Sequence, residues 1–431
     1  MTTTPKTDTT RTKLGALPWI IWSLSALFYG YGYFQRVAPS VMVDDLMRDF
    51  AASAVVLGNL SAIYYYAYAS LQIPVGILND RFGPRRILTV AALVGGVGTV
   101  LFAMAPTLEL AYAGRLLVGI GVAFAWVSTL KLASIWFPPH RFAMITGMTL
   151  MVGVLGGFFG QAPLSLVIAE FGWRECIAVS SVVSFVLAGA IWIVVRDYKG
   201  ERKEADKPRF ADVLRAAKSV MSTMQTWYVA LFGMSMAVLA LGFMALWGVP
   251  YLMEVYGLDR PSASLAISLG LIGQAVGAPF MGWFSDTLRR RKAPRIGGLL
   301  CTMGLFAWLV YGPTLPLALV HVVMFAMGFT NGASIIAFAA AKENAPTAAA
   351  GVTVACVNTF LMAGGALMQP VAGWILDVCW DGTLVEGVRV YGLDVWRTAF
   401  APFVAFCGVG LTCTLLMRET HCRTLEERKT S

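Results

Sequence analysis

Long apolar runs alternate with short polar breaks along the whole 431-residue chain. A helix needs roughly 20 apolar residues to cross the hydrocarbon of a bilayer. Twelve runs meet that length, near residues 17–38, 54–78, 87–105, 109–136, 142–168, 175–195, 224–253, 263–284, 294–312, 316–341, 349–376 and 396–417. None shows the period of two that a strand between lipid and lumen requires, which argues against a β-barrel. Several contain Gly and Pro, which packed membrane helices tolerate. The predicted fold class is all-α, a polytopic membrane protein with 12 transmembrane helices.

The polar breaks divide the chain. The longest charged stretch, 197–222, begins DYKGERKEADKPRF and falls near the middle. It predicts a tail at 1–16, a six-helix half at 17–196, a linker at 197–222, a second half at 223–418 and a tail at 419–431. Around Phe210–Ala217 the linker is amphipathic and is expected to lie on the membrane surface. The first tail, MTTTPKTDTTRTK, is too polar to pack. The first run is too long for a signal peptide and lacks a small-residue cleavage site, so it reads as a retained helix.

An even number of crossings puts both ends on one side. Segments on that side carry 25 of the 33 Lys and Arg, and the opposite loops carry five: Arg48, Arg174, Arg260, Arg389 and Arg397. The positive-inside rule then makes both termini cytoplasmic, as expected for a protein of the bacterial inner (plasma) membrane. Only 13% of residues are charged and 58% are hydrophobic, where a soluble domain carries about a quarter charged. The net charge of +9 follows from loops beside anionic lipid and calls for no nucleic-acid partner. Of seven cysteines only Cys379 falls in an outer loop, so no disulfide framework is predicted. No Cys/His spacing suggests a metal site, and no G-x-x-x-x-G-K-[ST] loop suggests a nucleotide-driven pump. No cofactor and no enzymatic activity are expected.

One break is patterned. Residues 76–86 read GILNDRFGPRR, placing Gly76, Asp80, Arg81, Gly83, Arg85 and Arg86 as G-x-x-x-D-R-x-G-x-R-R. A weaker copy 206 positions on aligns Gly282, Asp286, Arg289, Arg291 and Lys292 with Gly76, Asp80, Gly83, Arg85 and Arg86. A Trp-Arg pair also recurs, at Trp173-Arg174 and Trp396-Arg397, offset by the longer outer loop at about 377–395. Two homologous halves are implied. The first hairpin resembles the loop between the second and third helices of major facilitator superfamily transporters. That resemblance implies two pseudo-symmetric six-helix halves and a gating latch on the cytoplasmic side, built on Gly76, Asp80, Arg81, Gly83, Arg85 and Arg86 with Asp286 in support. Asp80 is placed to face a helix N-terminus of the other half, where the dipole favours an anion.

The fourth run carries Gly114-Arg115-Leu-Leu-Val-Gly119-Ile-Gly121, similar to the superfamily's R-x-x-x-G-x-G element. At the repeat-equivalent position stands His321, the only histidine inside a run and a side chain with a pKa near neutrality. Arg115 and His321 are candidate coupling residues, each with a packing role as the alternative. The fifth run, GVLGGFFGQAP, departs from the drug/proton exchanger pattern because its proline is displaced to Pro163. Small residues there have an adequate explanation in close helix approach.

The solute question turns on Arg36, in Tyr29-Gly-Tyr31-Gly-Tyr33-Phe-Gln35-Arg36. The tyrosine-rich approach and the distance to Asp80 are similar to organophosphate and organic-anion carriers, where the resemblance implies an arginine that binds the anionic group. A guanidinium offers carboxylate or phosphate a planar fork. The alternative is an arginine reaching for outer headgroups. Tyr33, Gln35, Tyr65, Tyr68 and Lys131 complete the candidate binding set. No Asp or Glu lies mid-run, so the usual proton carrier is missing. Symport, exchange and uniport all stay open. The expected partners are a small-molecule solute, protons or a counter-solute, and membrane lipid, with the protein a monomer. Three readings compete: a carrier of a small anionic or zwitterionic organic solute working by alternating access, an efflux carrier for drugs or siderophores, and a non-transporting sensor or assembly protein on the same fold.

Overall fold

The computed structural model describes residues 15–138, 141–197, 210–346 and 349–430. The N-terminal tail and most of the charged linker lie outside the described residues. The first half folds into α1 (Ala16–Val37), α2 (Val43–Phe50), α3 (Ala54–Phe82), α4 (Pro84–Ala103), α5 (Leu108–Val122), α6 (Ala125–Trp136), α7 (Phe142–Phe159), α8 (Ala162–Phe171) and α9 (Trp173–Val194). Then come α10 (Phe210–Met221), α11 (Met224–Ala237), a π-helical stretch (Val238–Trp247), α12 (Gly248–Tyr256), α13 (Arg260–Leu288), α14 (Lys292–Tyr311), α15 (Leu317–Asn331), α16 (Ile335–Glu343) and α17 (Ala350–Val378). A hairpin of β1 (Leu384–Val385) and β2 (Val388–Arg389) precedes α18 (Leu393–Leu416) and α19 (Leu425–Thr430). The pairs α5/α6, α7/α8, α11/α12 and α15/α16 are broken parts of single crossings. Each of the twelve apolar runs thus finds a crossing.

The third to twelfth crossings are long and apolar enough to span a membrane, and the second qualifies only when its described part is joined to α2 across a 113° bend. The first two fall short because their turns carry Tyr29, Tyr31, Tyr33, Gln35 and Arg36, and Tyr64, Tyr65, Tyr66, Tyr68 and Gln72. Hydrocarbon penalises polar side chains, and of these only Tyr66 is exposed; the others turn into the protein. The bundle turns apolar side chains outward: Val179, Val182, Val186 and Ile193 on α9 are all exposed. The seventh crossing is the most enclosed.

The hairpin after α3 forms as its residues dictate. The helix runs through Asp80 and Arg81 to Phe82, past the end of the apolar run, and Gly83 turns it at φ +80° with Pro84 opening α4. In the second copy Arg289 makes the turn at φ +48°, a left-handed conformation that costs a non-glycine residue about 1 kcal/mol. The repeat is also visible in hydrogen bonds. Trp173 Nε1 donates to Asp49 at 2.9 Å and Trp396 Nε1 to Glu254 at 3.0 Å. Beside them, Arg174 caps the carbonyls of Ala103 and Ala105 past α4, and Arg397 those of Val310, Tyr311 and Gly312 past α14. The recurring Trp-Arg pair therefore does the same work in each half: it ties a helix end left without intrahelical partners.

Candidate functional site

Arg36 occupies the last turn of α1. Helical side chains lean toward the N-terminus, which carries its guanidinium back over Tyr33, 4.3 Å from the ring centroid. Tyr68 and Tyr64 of α3 complete a box at 5.5 and 5.8 Å. Four residues apart, those two rings share one helix face and stack at 6.2 Å, and Tyr65 meets Tyr64 edge-on at 5.2 Å. Tyr33 continues through Tyr29 to Trp126 of α6. The glycines of the fifth crossing make room here: a Cβ on Gly153 would stand 2.7 Å from the Tyr29 ring. Arg36 is 5% exposed, its Nε has no hydrogen-bond partner, and no carboxylate pairs with it among the described residues. Burying a charge without a partner costs several kcal/mol, while each ring face returns about 0.5–2. The difference is what a bound anion would recover.

Of the other candidates, Tyr33, Tyr65 and Tyr68 join this box and two do not. Gln35 faces into the first half, where its Nε2 donates to Tyr31 Oη at 2.9 Å and Ser180 Oγ at 3.1 Å. The Lys131 ammonium is 2.8 Å from Asp80 Oδ1 and 2.5 Å from the Asn79 carbonyl. Its charge is spent on the α3 hairpin, because from α6 the Asp80 carboxylate is the nearer partner. Tyr64, left out of the sequence-based set, belongs to the box; its four-residue spacing from Tyr68 was the available signal.

Arg115 is 1% exposed, and its Nη1 donates to the Gln35 carbonyl at 2.8 Å, holding the end of α1. Its Cζ lies 5.3 Å from the Tyr64 ring, so one tyrosine neighbours both buried arginines. His321 stands on α15 in the other half with a buried Nε2 that lacks a partner, and no bond between described residues joins it to Arg115.

At the face carrying the chain ends, the gating residues pair with neighbouring helices and chain segments. Asp80 pairs with Lys131 of α6 at 2.8 Å. The Arg85 backbone donates to Asp197 at 3.0 Å and its guanidinium to the Trp192 carbonyl, while Arg81 and Arg86 are exposed and Gly76 is half-buried. In the second copy Arg291 bridges Asp286 and Glu343, both at 2.6 Å, and its backbone donates to Glu419 at 2.7 Å. Asp197 and Glu419 thus cap equivalent helix starts. Partial burial raises the Glu419 carboxyl, but backbone N–H groups of Arg291, Lys292, Thr420 and His421 outweigh it and hold the group below the usual range. Arg295, counted above among the loop cations, is fully buried over Phe232 with Nη1 on Met417 Sδ.

The opposite face is where the halves lock together. The Asp377 carboxylate at the end of α17 accepts from the Ala54 and Val55 N–H groups at 3.0 and 2.8 Å, capping α3, and pairs with Arg389 at 2.8 Å. Arg260 pairs with Asp45 at 2.8 Å, and Arg48 reaches Glu386. Below this, Tyr66 Oη donates to the Ala366 carbonyl and Asn358 donates to Gln72 at 2.8 Å. No ion pair between described residues joins the halves at the terminal face. The molecule is closed at the distal face.

Two six-crossing halves, closed at one face around a buried cation, define a membrane carrier. The sequence matches the Major Facilitator Superfamily over residues 23–369 and 248–429. The chain belongs to that superfamily of transporters. Among curated relatives it is similar to a probable sulfoacetate transporter of Cupriavidus necator, 28% identical over 287 residues, covering 63% of this chain and 66% of the relative. A probable galactarate/D-glucarate transporter of Bacillus subtilis is 23% identical, with 86% of this chain and 89% of the relative covered. A membrane sensor protein of Escherichia coli is 24% identical, with 94% and 92% covered. Among solved structures, a bacterial homologue of the human lysosomal transporter Spinster, inward-facing and occupied, superposes with TM-score 0.73 at 15% identity, covering 93% of this chain and 97% of that one. That likeness shows the fold.

Proposed function

We propose that this protein carries a small organic anion across the bacterial inner membrane by alternating access, with the anionic group on Arg36 inside the tyrosine box. The carrying observation is the buried guanidinium with no counter-charge. Relatives named for sulfoacetate and for galactarate or D-glucarate support an anionic solute. With both termini cytoplasmic, as the cation distribution argues, the closed distal face is the outer one and this is an inward-facing arrangement. Coupling, whether symport with protons through Arg115 and His321 or exchange with a counter-solute, rests on the same buried polar groups. The gating roles of Asp80 and Asp286 draw on their charges at this face, where they pair with Lys131 and Arg291.

Ligand-dependent thermal shift tests the site. A ligand at 100 times its Kd stabilises by roughly 2.7 kcal/mol, and Arg36→Ala should abolish the shift that organic anions give the wild type, with Arg36→Lys retaining part of it. An unchanged shift in Arg36→Ala refutes the assignment. A second reading, a solute sensor on this fold, draws on the sensor protein matched over nearly the whole chain. It predicts anion binding without uptake into proteoliposomes.

A further inference from the structure

Arg115 on α5 is a second enclosed cation beside the tyrosine box. Its Nη1 donates to the Gln35 carbonyl at 2.8 Å, and that carbonyl belongs to the peptide joining Gln35 to Arg36. The Arg115 guanidinium therefore lies against the backbone of the arginine assigned to the anion. Tyr64 touches both: its ring centroid is 5.8 Å from the Arg36 Cζ and 5.3 Å from the Arg115 Cζ. The two guanidinium carbons thus stand no more than about 11 Å apart. The ring is held in place, its hydroxyl donating to the Gly32 carbonyl of α1 at 3.0 Å.

Holding the end of α1 uses one nitrogen of Arg115. Its Nε and Nη2 are buried without partners, as is Arg36 Nε. Buried polar groups are satisfied in the great majority of cases, and an exception needs a cause. Nε and Nη2 lie side by side on the guanidinium and form one of its forks, which can take both oxygens of a carboxylate. The charges give the same reading. Lys131 is paired with Asp80, Arg260 with Asp45 and Arg291 with Glu343. Among the described residues no carboxylate pairs with Arg36 or Arg115, and an enclosed charge left without a partner is costly. The box therefore carries two positive charges that the protein does not offset.

From these observations, and resting on the Arg36 reading above, we propose that the solute is a dianion with two acidic groups on a short chain, one on Arg36 and the other on the Nε–Nη2 fork of Arg115. Such a solute gives each guanidinium its counter-charge. A monoanion leaves one of the two cations bare. A zwitterion brings its ammonium into the field of both. A single divalent group serves one fork and leaves the other empty. An acid carbon stands about 4 Å from the guanidinium carbon that holds it, so a spacing of at most about 11 Å suits a chain of a few carbons between the acidic groups. Both arginines sit out of bulk water, where hydrogen bonds between ions are strongest.

The test is calorimetric titration of the full-length purified protein near neutral pH with succinate, glutarate and adipate, and with the monoamide of each, which keeps the length and removes one charge. Wild type should bind at least one diacid about tenfold or more tightly than its monoamide, the scale of one hydrogen-bonded charge left unmet. In Arg115→Gln that ratio should fall to near one, and Arg115→Lys, which keeps the charge without the fork, should lie between. If Arg115→Gln does not fold, the Lys variant decides by the same ratio, a wild-type value overturning the fork. Equal weakening of diacid and monoamide in Arg115→Gln, with the ratio kept, means that Arg115 only caps α1 and overturns the proposal. So does wild type that binds no diacid, or binds diacid and monoamide alike. Inorganic phosphate competing as well as the diacid overturns the two-group assignment. Undiminished diacid binding by Arg36→Gln, with Arg115→Gln behaving as stated, would refute the Arg36 reading and leave Arg115 as an acid site.

Discussion

Adding a single methyl group at Gly373 should pry open the distal face. On α17, a Cβ at this position would lie 2.3 Å from the Ala54 carbonyl oxygen and 2.9 Å from the Val55 Cα, where ordinary contact begins at 3.4 Å. The obstacle is backbone, which cannot rotate away, so α3 and α17 must separate by about 1 Å. The bonds from Ala54 and Val55 to Asp377, at 3.0 and 2.8 Å, cross the same gap and would be stretched beyond bonding range. Overpacking of this kind costs typically 1–3 kcal/mol. Because the clash exists only when the halves meet, that cost falls on the closed state. At about 1.4 kcal/mol per factor of ten, a cost near 2 shifts the equilibrium roughly thirtyfold toward the distally open form. Spin labels at Thr107 and Thr314, exposed on distal loops of the two halves, would report it by electron–electron distance measurement after Cys301 and Cys379 are replaced by serine. Wild type should give mainly a short distance, and Gly373→Ala a second, longer population. Gly351→Ala, on the same helix but with open space at the Cβ, is the control and should match wild type. An unchanged distance distribution in Gly373→Ala would refute the claim that this crossing seals the face.

Two other outcomes follow from the same contacts. Asp377→Asn removes the charge that caps α3 and pairs with Arg389, so it should move the same spin-label pair toward the longer distance without a clash. Persistence of the short distance alone would contradict the capping role. Glu419, held below the ordinary carboxylate range, contributes stability that is complete above its unfolded pKa of about 4.3 and is lost as pH falls through its folded value. The melting-temperature difference between wild type and Glu419→Gln should therefore be greatest near neutrality and shrink on acidification below about pH 4; a difference independent of pH would rule this out.

The crossings were legible in the sequence because each run had to exceed the hydrocarbon thickness, and some bounds moved where polar residues extend a helix, as at Asp80–Phe82. The repeat was legible too, since Trp173-Arg174 and Trp396-Arg397 must each tie a helix end. Arg36 stood out because a cation inside an apolar run demands a reason. Lys131 looked equivalent by that criterion, yet its partner lies 51 residues away in sequence on another helix, and pairing across a bundle leaves no local mark. Gln35 misled for a simpler reason: adjacent helical residues point about 100° apart, so a neighbour of Arg36 in sequence need not share its cavity.

The central claim is that an organic anion crosses the membrane on Arg36. Uptake of a radiolabelled organic acid into proteoliposomes preloaded with the same unlabelled acid tests it most directly, because exchange of this kind needs no knowledge of the coupling ion. Wild type should exchange, Arg36→Ala should fall to the level of empty liposomes while remaining folded, and Arg36→Lys should recover a fraction of the rate. Exchange by Arg36→Ala at the wild-type rate would contradict the account.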